Sequence, residues 1–306
     1  MVKRGTIKRI QRNKGYRSLG LKEHPFLTSA DPRFLYLSGQ HETVMDHTQR
    51  VIEEHQGLGV VEGQPGVGKS TLARRLYDIY TEYEDCSVTY LHTATFKTSF
   101  DLLQEITLNL GVKQRRSETA LRHEFENWLI DQHAAQVTTI VIVDDAQMLE
   151  PAALEAVQAI YNFDVREKLV QVIMFGQSEL RSKLAAAPAL LSRVAVWQSI
   201  LPLSPLDALK MINFRCNVAG RSESLLEASA FDELYAATIG LPRDIVIVCA
   251  EILSILERER RQTADLEIVR EAVAAYRRRP EYEPTTPSLF ELPETVRQAA
   301  DRRKKR

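Results

Sequence analysis

Gly63-Gln64-Pro65-Gly66-Val67-Gly68-Lys69-Ser70, followed by Thr71, has the spacing G-x-x-x-x-G-K-S. That spacing serves one kind of chemistry. Glycines let backbone N–H groups converge on phosphate oxygens without side-chain clash, and the lysine brings a positive charge to the outer phosphates. The serine hydroxyl is a ligand for Mg2+, and a helix that starts here points its positive end at the anion. The flanks supply the context the motif needs. Leu58 to Glu62 is a short apolar run that reads as a buried strand, and Lys69 to Tyr83 reads as a helix. Residues Gly63 to Thr71 are therefore the expected cradle for ATP.

Further along, Ile140-Val141-Ile142-Val143-Asp144-Asp145 closes a β-branched run, Thr138 to Val143, of the kind found in strands covered on both faces. A carboxylate at the carboxyl end of such a strand suits the magnesium shell, which assigns Asp144 together with Ser70 to the metal. Asp145 is then placed to orient the attacking water as general base. One strand, Ser87 to His92, intervenes between loop and carboxylates, as in the ATPase branch that sets a catalytic acid directly after the metal-binding aspartate.

Helical patterns alternate with these strands: Gln40 to Gln56, Thr98 to Leu110, Ser117 to Gln136 and Pro151 to Arg166. Leu169 to Phe175 and Val194 to Leu201 complete five strands. Alternation of this kind predicts an α/β fold with a parallel sheet flanked by helices. After Leu203 the pattern changes. Ser204-Pro205-Leu206-Asp207 is a helix start, and everything to Arg279 reads as helix broken near Gly220, Gly240-Leu241-Pro242 and Thr263. The expected division is a basic arm over 1–17, a nucleotide-binding α/β domain over 18–203, a small all-helical lid over 204–279 and a Pro-rich basic tail over 280–306.

Composition narrows the function classes. The 306 residues are 44% hydrophobic and 26% charged, ordinary for a globular protein. No apolar run approaches the length of a membrane helix; Ile245 to Leu256 is too short and contains Glu251. Cys86, Cys216 and Cys249 are too scattered for a disulfide framework or a zinc knuckle and suit a reducing cytoplasm. The net charge of −1 conceals an asymmetry. Residues 1–17 carry seven cations and no acid, and Arg302 to Arg306 adds five more, which leaves a body of −13. Lys3, Arg4, Lys8, Arg9 and Arg12 in the arm are candidate contacts to a DNA backbone, as are Lys97, Lys113, Arg115 and Arg116 in polar loops. Ser288-Leu289-Phe290-Glu291-Leu292-Pro293 in the tail is a candidate docking motif for a partner protein.

Several motifs in order resemble the ExeA-type AAA+ ATPases. Leu19-Gly20-Leu21 with Pro25-Phe26 and Asp31-Pro32-Arg33-Phe34-Leu35-Tyr36-Leu37-Ser38 is similar to their opening. Asp144-Asp145-Ala146-Gln147 resembles their Asp-Glu-Ala-Gln. Gly176-Gln177-Ser178-Glu179-Leu180 resembles their Gly-Gln-Pro-Glu-Leu after the fourth strand, and Leu201-Pro202-Leu203-Ser204 and Gly240-Leu241-Pro242-Arg243 also match. The transposition ATPases of the TnsC, TniB and MuB kind are close to this family.

The resemblance implies a P-loop AAA+ fold with ATP and Mg2+ held between nucleotide-binding domain and lid. It places Gln177 at the first sensor position, Arg243 at the second, and Arg193 where the family carries an arginine finger acting on a neighbouring subunit's ATP. It also implies a homo-oligomer, ring or filament, assembled on double-stranded DNA, with a transposase as partner. Secretion-type members carry a transmembrane segment and a peptidoglycan-binding module, neither of which is found in these residues. The order of expectation is therefore a cytoplasmic regulator of transposition target choice first, then a secretion or envelope-assembly ATPase, then a nucleotide-dependent protein scaffold. Asp145 stands where the family has glutamate, one methylene longer, which predicts slow hydrolysis.

Overall fold

The most apolar strands of the chain occupy the middle of its sheet. In this computed structural model, which describes residues 15–27, 31–92, 95–163 and 167–279, five strands run parallel: β1 (Leu58–Gly63), β2 (Cys86–Leu91), β3 (Thr138–Val143), β4 (Val170–Gly176) and β5 (Val194–Ile200). Their order is β2-β3-β4-β1-β5. β4, between β3 and β1, is buried along its whole length, while the edge strands β2 and β5 keep half-buried positions. Interior parallel strands are covered on both faces, which is why β3 and β4 read as largely apolar runs, interrupted by Thr138, Thr139 and Gln171.

Register sets the site. Glu62 pairs with Gly176 across β1 and β4, and Val143 pairs with Met174 across β3 and β4. The phosphate loop, Asp144 and Gln177 thus leave three adjacent strands at one edge of the sheet, outside the carboxyl ends where open α/β sheets bind ligands.

Helices cover both faces: α1 (Gly39–Glu53), α2 (Lys69–Tyr80), α3 (Ser99–Asn109), α4 (Glu118–Ala134), α5 (Pro151–Tyr161), α6 (Glu179–Ala185) and α7 (Pro188–Leu191). Thr98 and Asp101 cap α3 reciprocally, and Ser117 accepts from the Ala120 N–H at the start of α4. Leu58, Val60, Phe125, Val141, Val143, Val157 and Met174 share one core. The helix expected to run to Arg166 stops at Tyr161, capped by Asn162, and residues 164–166 lie outside the described residues. The short α6 and α7 were not expected; seven and four residues carry too little periodicity to register.

Leu37–Pro202 makes up this unit; a second, helical unit holds the residues up to Tyr36 and those from Leu203 onward. Its helices are α8 (Pro205–Val218), α9 (Ala228–Thr238), α10 (Pro242–Glu259) and α11 (Leu266–Arg277). Ser204 caps α8, accepting from the Asp207 N–H at 3.1 Å and donating its hydroxyl to the Asp207 carboxylate at 2.7 Å.

Here the structure departs from the expected division at 18–203. Leu19, Leu21, Phe26 and Phe34 are buried in the core of the helical unit, with Ile212, Val248, Ile252 and Leu253. Their spacing follows no helix or strand period, so the sequence carries no sign of which core takes them. Arg221, only 5% exposed, fastens this segment. Its guanidinium donates to the backbone carbonyls of Leu19 (2.9 Å), Glu223 (3.1 Å), Ser224 (3.0 Å) and Gln262 (2.8 Å). Arg215 likewise donates to the carbonyls of Pro25 and Phe34, each at 3.1 Å. Substituting Arg221→Leu strands several buried acceptors, each costing about 1–3 kcal/mol. Denaturant titration is expected to show a loss of about 3 kcal/mol for the helical unit; an unchanged midpoint would refute the fastening role.

No helix among the described residues is long and apolar enough to cross a membrane.

Candidate functional site

The phosphate loop is shaped by glycines that cannot be replaced cheaply. Gly68, the residue before α2, has φ of +108°, a region L side chains rarely adopt. At Gly63 a Cβ would lie 2.8 Å from the Ile200 carbonyl oxygen and 2.9 Å from Val67 Cγ2, so the strand end fits only without a side chain. Thr71 and Leu72 N–H both donate to the Gly68 carbonyl, which starts α2 directly beneath the loop. The leading N–H groups of α2 have no carbonyl one turn back, and an anion satisfies them.

Lys69 is 6% exposed, and its Nζ donates to the carbonyls of Gly63 (2.7 Å) and Gln64 (2.8 Å). Burial lowers its proton affinity, while the negative charges of Asp144, Asp145 and Glu179 act the other way. An ammonium held at this depth, beside the loop's backbone N–H groups, suits an anionic ligand. Ser70 and its neighbour Thr71 sit in the first turn of α2, Ser70 exposed.

Asp144 is 3% exposed. Its Oδ2 accepts from the Tyr90 hydroxyl at 3.0 Å and its Oδ1 from the Asp145 N–H at 3.0 Å. The acceptor shifts Tyr90: burial first, then the Asp144 charge, push its phenol well above its ordinary value. Asp145 follows with φ of +49°, a left-handed backbone that costs a non-glycine residue about 1–2 kcal/mol. Its Oδ1 accepts from Gln147 Nε2 at 2.9 Å, and Gln147 Oε1 accepts from the Gln177 N–H at 3.0 Å. Lys69, Asp144, Asp145 and Gln177 are therefore brought to one place.

The residues fit Mg2+ and a triphosphate. Ser70 and Asp144 offer hard oxygen donors, and Mg2+ takes one or two protein ligands while phosphate oxygens and water supply the others. No group of three or more His, Cys, Asp or Glu residues able to hold a metal exists among the described residues.

The remaining expected residues lie elsewhere. Arg193 precedes β5, and Val194 pairs with Leu58, so it stands at the opposite end of the sheet from the loop. Its guanidinium carbon lies 5.5 Å from the Tyr161 ring centroid, and Nη1 is buried without a hydrogen-bond partner among the described residues. Arg193 does not reach the site of its own chain. Arg243 is exposed in the first turn of α10 in the helical unit, where a cation opposes the helix dipole and so contributes nothing to the helix.

Of the loop cations, Lys97, Lys113 and Arg116 are exposed, while Arg115 is paired with Glu124 at 2.6 Å. The Ser99 hydroxyl donates to Glu118 at 2.8 Å, which brings the ends of the loops bearing Lys97 and Arg116 together. Lys3, Arg4, Lys8, Arg9, Arg12 and the tail motif from Ser288 to Pro293 lie outside the described residues.

Three residues of the site carried no signal of their own. His41 is 4% exposed; Ser38 N–H donates to its Nδ1, which leaves Nε2 to donate to the Val67 carbonyl of the loop at 3.2 Å. Tyr90 reaches Asp144 from the edge strand. Gln147 stands in the stretch that resembles Asp-Glu-Ala-Gln, but its amide's two bonds emerge only from the fold.

The family model for the AAA domain matches residues 52–184, from the end of α1 to α6 and so across the phosphate loop, Asp144 and Gln177. General secretion pathway protein A of Aeromonas hydrophila is 31% identical over 241 residues, 76% of this chain but 43% of that protein, so the chain spans less than half the relative's length. Among solved structures, the Aeropyrum pernix ORC2 protein in ADPNP–ADP complexes superimposes with a TM-score of 0.63 at 14% identity, over 88% of this chain and 76% of that one. The Aeropyrum pernix ORC1 protein in complex with DNA gives 0.61 at 15% identity, over 82% and 68%. Likeness at that identity is likeness of fold. It agrees with a P-loop AAA+ architecture: a five-stranded parallel sheet flanked by helices, with a helical region after it.

Proposed function

We propose that the chain binds ATP with Mg2+, hydrolyses it slowly, and in its ATP-bound form assembles on double-stranded DNA. The observation that carries the ATPase reading is the convergence of Lys69, Asp144, Asp145 and Gln177 at the ends of three adjacent strands. Lys69 holds the outer phosphates and the loop N–H groups cradle them, while Ser70 and Asp144 hold the metal, which supplies charge neutralisation when bound. Asp145 accepts the proton of the attacking water, and the Gln177 side chain orients that water. The motif resemblance makes Arg243 the second-sensor residue. Arg193, remote from its own site, acts on a neighbouring copy's nucleotide, so hydrolysis depends on assembly.

The DNA reading rests on the exposed cations Lys97, Lys113 and Arg116, on the basic arm, and on the DNA-bound ORC1 protein of like fold. Control of transposition target choice, with a transposase as partner, is the form of it that the motif resemblance supports. A secretion or envelope-assembly role is the second reading, and the Aeromonas relative favours it.

Anisotropy titration with duplex DNA, with and without a non-hydrolysable ATP analogue, separates the two. We expect the analogue to tighten binding at least about tenfold and affinity to fall steeply with salt. DNA binding that ignores the nucleotide at low salt would leave the secretion role as the better account.

A further inference from the structure

We propose that Gln147 is a positioning residue that ties the carboxylate of Asp145 to the end of β4, so that base and sensor are set as one unit. The inference rests on the ATPase reading of the site. Gln147 is 8% exposed, and its amide has two bonds: Nε2 to Asp145 Oδ1 at 2.9 Å, and Oε1 from the Gln177 N–H at 3.0 Å.

The polarity of this bridge is forced. A backbone N–H only donates and a carboxylate only accepts, so the group between them must accept on one side and donate on the other. A glutamine amide does both. Glutamate would set a second negative charge against Asp145, asparagine is one methylene short, and methionine keeps the length but makes neither bond. The strand end leaves room for the bridge: a Cβ at Gly176 would lie 3.3 Å from Gln147 Oε1 and 2.7 Å from Leu180 Cδ2.

The bridge has a mechanical consequence. Asp145 sits in a left-handed backbone at the start of a short 3-10 turn, Ala146–Met148, and Gln147 is the side chain that returns from that turn to the sheet. The orientation of Asp145 is thereby set by the position of the Gln177 backbone, from which the sensor side chain projects. Nucleotide binding itself does not use Gln147. Its loss should therefore leave ATP affinity intact and slow the chemical step.

The test is Gln147→Met in the full chain, with circular dichroism as the check on folding. Affinity for a non-hydrolysable ATP analogue is expected within about twofold of the parent, and turnover about 10- to 30-fold lower. Without nucleotide, hydrogen exchange at the Gln177 amide is expected to quicken at least about tenfold, because its acceptor is gone. In an Asp145→Asn background, single-turnover phosphate release is expected to change less than about twofold on adding Gln147→Met, since the two side chains act through one path.

Parental turnover in Gln147→Met, an equal loss of nucleotide affinity, or a full additive effect in the Asp145→Asn background would each overturn the proposal. A parent that binds ATP but never turns it over sinks the ATPase reading itself, a result distinct from the others.

Discussion

Asp145→Asn is expected to bind ATP as tightly as the parent and to hydrolyse it at least about 100-fold more slowly, the usual scale for removing a positioned general base. The amide is nearly the same size as the carboxylate and stays in the same left-handed turn. It cannot take a proton from water. Binding survives because the groups that grip the nucleotide, Lys69 with the loop and Ser70 with Asp144, are untouched. A second arm uses the departure of Asp145 from the Asp-Glu-Ala-Gln motif it resembles: Asp145→Glu extends the carboxylate by a methylene and is expected to raise turnover several-fold, within the range positioning commands. Phosphate release under saturating ATP measures both. Equal rates for Asp145→Asn and the parent would remove Asp145 from the chemistry, and an unchanged Asp145→Glu rate would end the length argument.

Lys69→Ala has the largest expected effect on binding. The buried ammonium spans the Gly63 and Gln64 carbonyls, and burial holds its proton affinity down. A triphosphate gives that charge a partner at close range in a desolvated setting. Charge-assisted bonds of this kind contribute about 1.5–3 kcal/mol, so affinity should fall about 10- to 100-fold. The same substitution relieves a desolvated charge, so the thermal melt of the nucleotide-free protein is not expected to fall with it. A variant that loses binding only because it has unfolded would show the opposite.

How much of this was legible in the sequence depends on how local the signal is. The loop from Gly63 to Thr71 and the run ending in Asp144-Asp145 are contiguous, and the strands that carry them are mostly apolar because they lie in the sheet's interior. Those elements were read to within a few residues. What was not legible is what many distant residues decide together. Leu19, Leu21, Phe26 and Phe34 look like loop residues, and their burial in the helical core, with the carbonyls gathered by Arg215 and Arg221, shows where they belong. His41, Tyr90 and Gln147 reach the site through side-chain bonds across gaps of 26, 54 and 30 residues. Spacing along the chain does not encode such bonds. Arg193 shows the limit of motif transfer. Its position before β5 was read correctly, but the pairing of Val194 with Leu58 sets it far from its own chain's phosphate loop, so any action on a nucleotide requires a second copy.

The central claim is that the loop around Lys69, with Asp144 behind it, is a nucleotide-binding site that uses Mg2+. Calorimetric titration of the intact chain with ATP, in Mg2+ and again with the metal chelated, tests it most directly. The account predicts saturable heat at one nucleotide per chain in Mg2+, weakened by chelation and by Asp144→Asn. No heat in Mg2+, or the same binding curve in Lys69→Ala as in the parent, would contradict it.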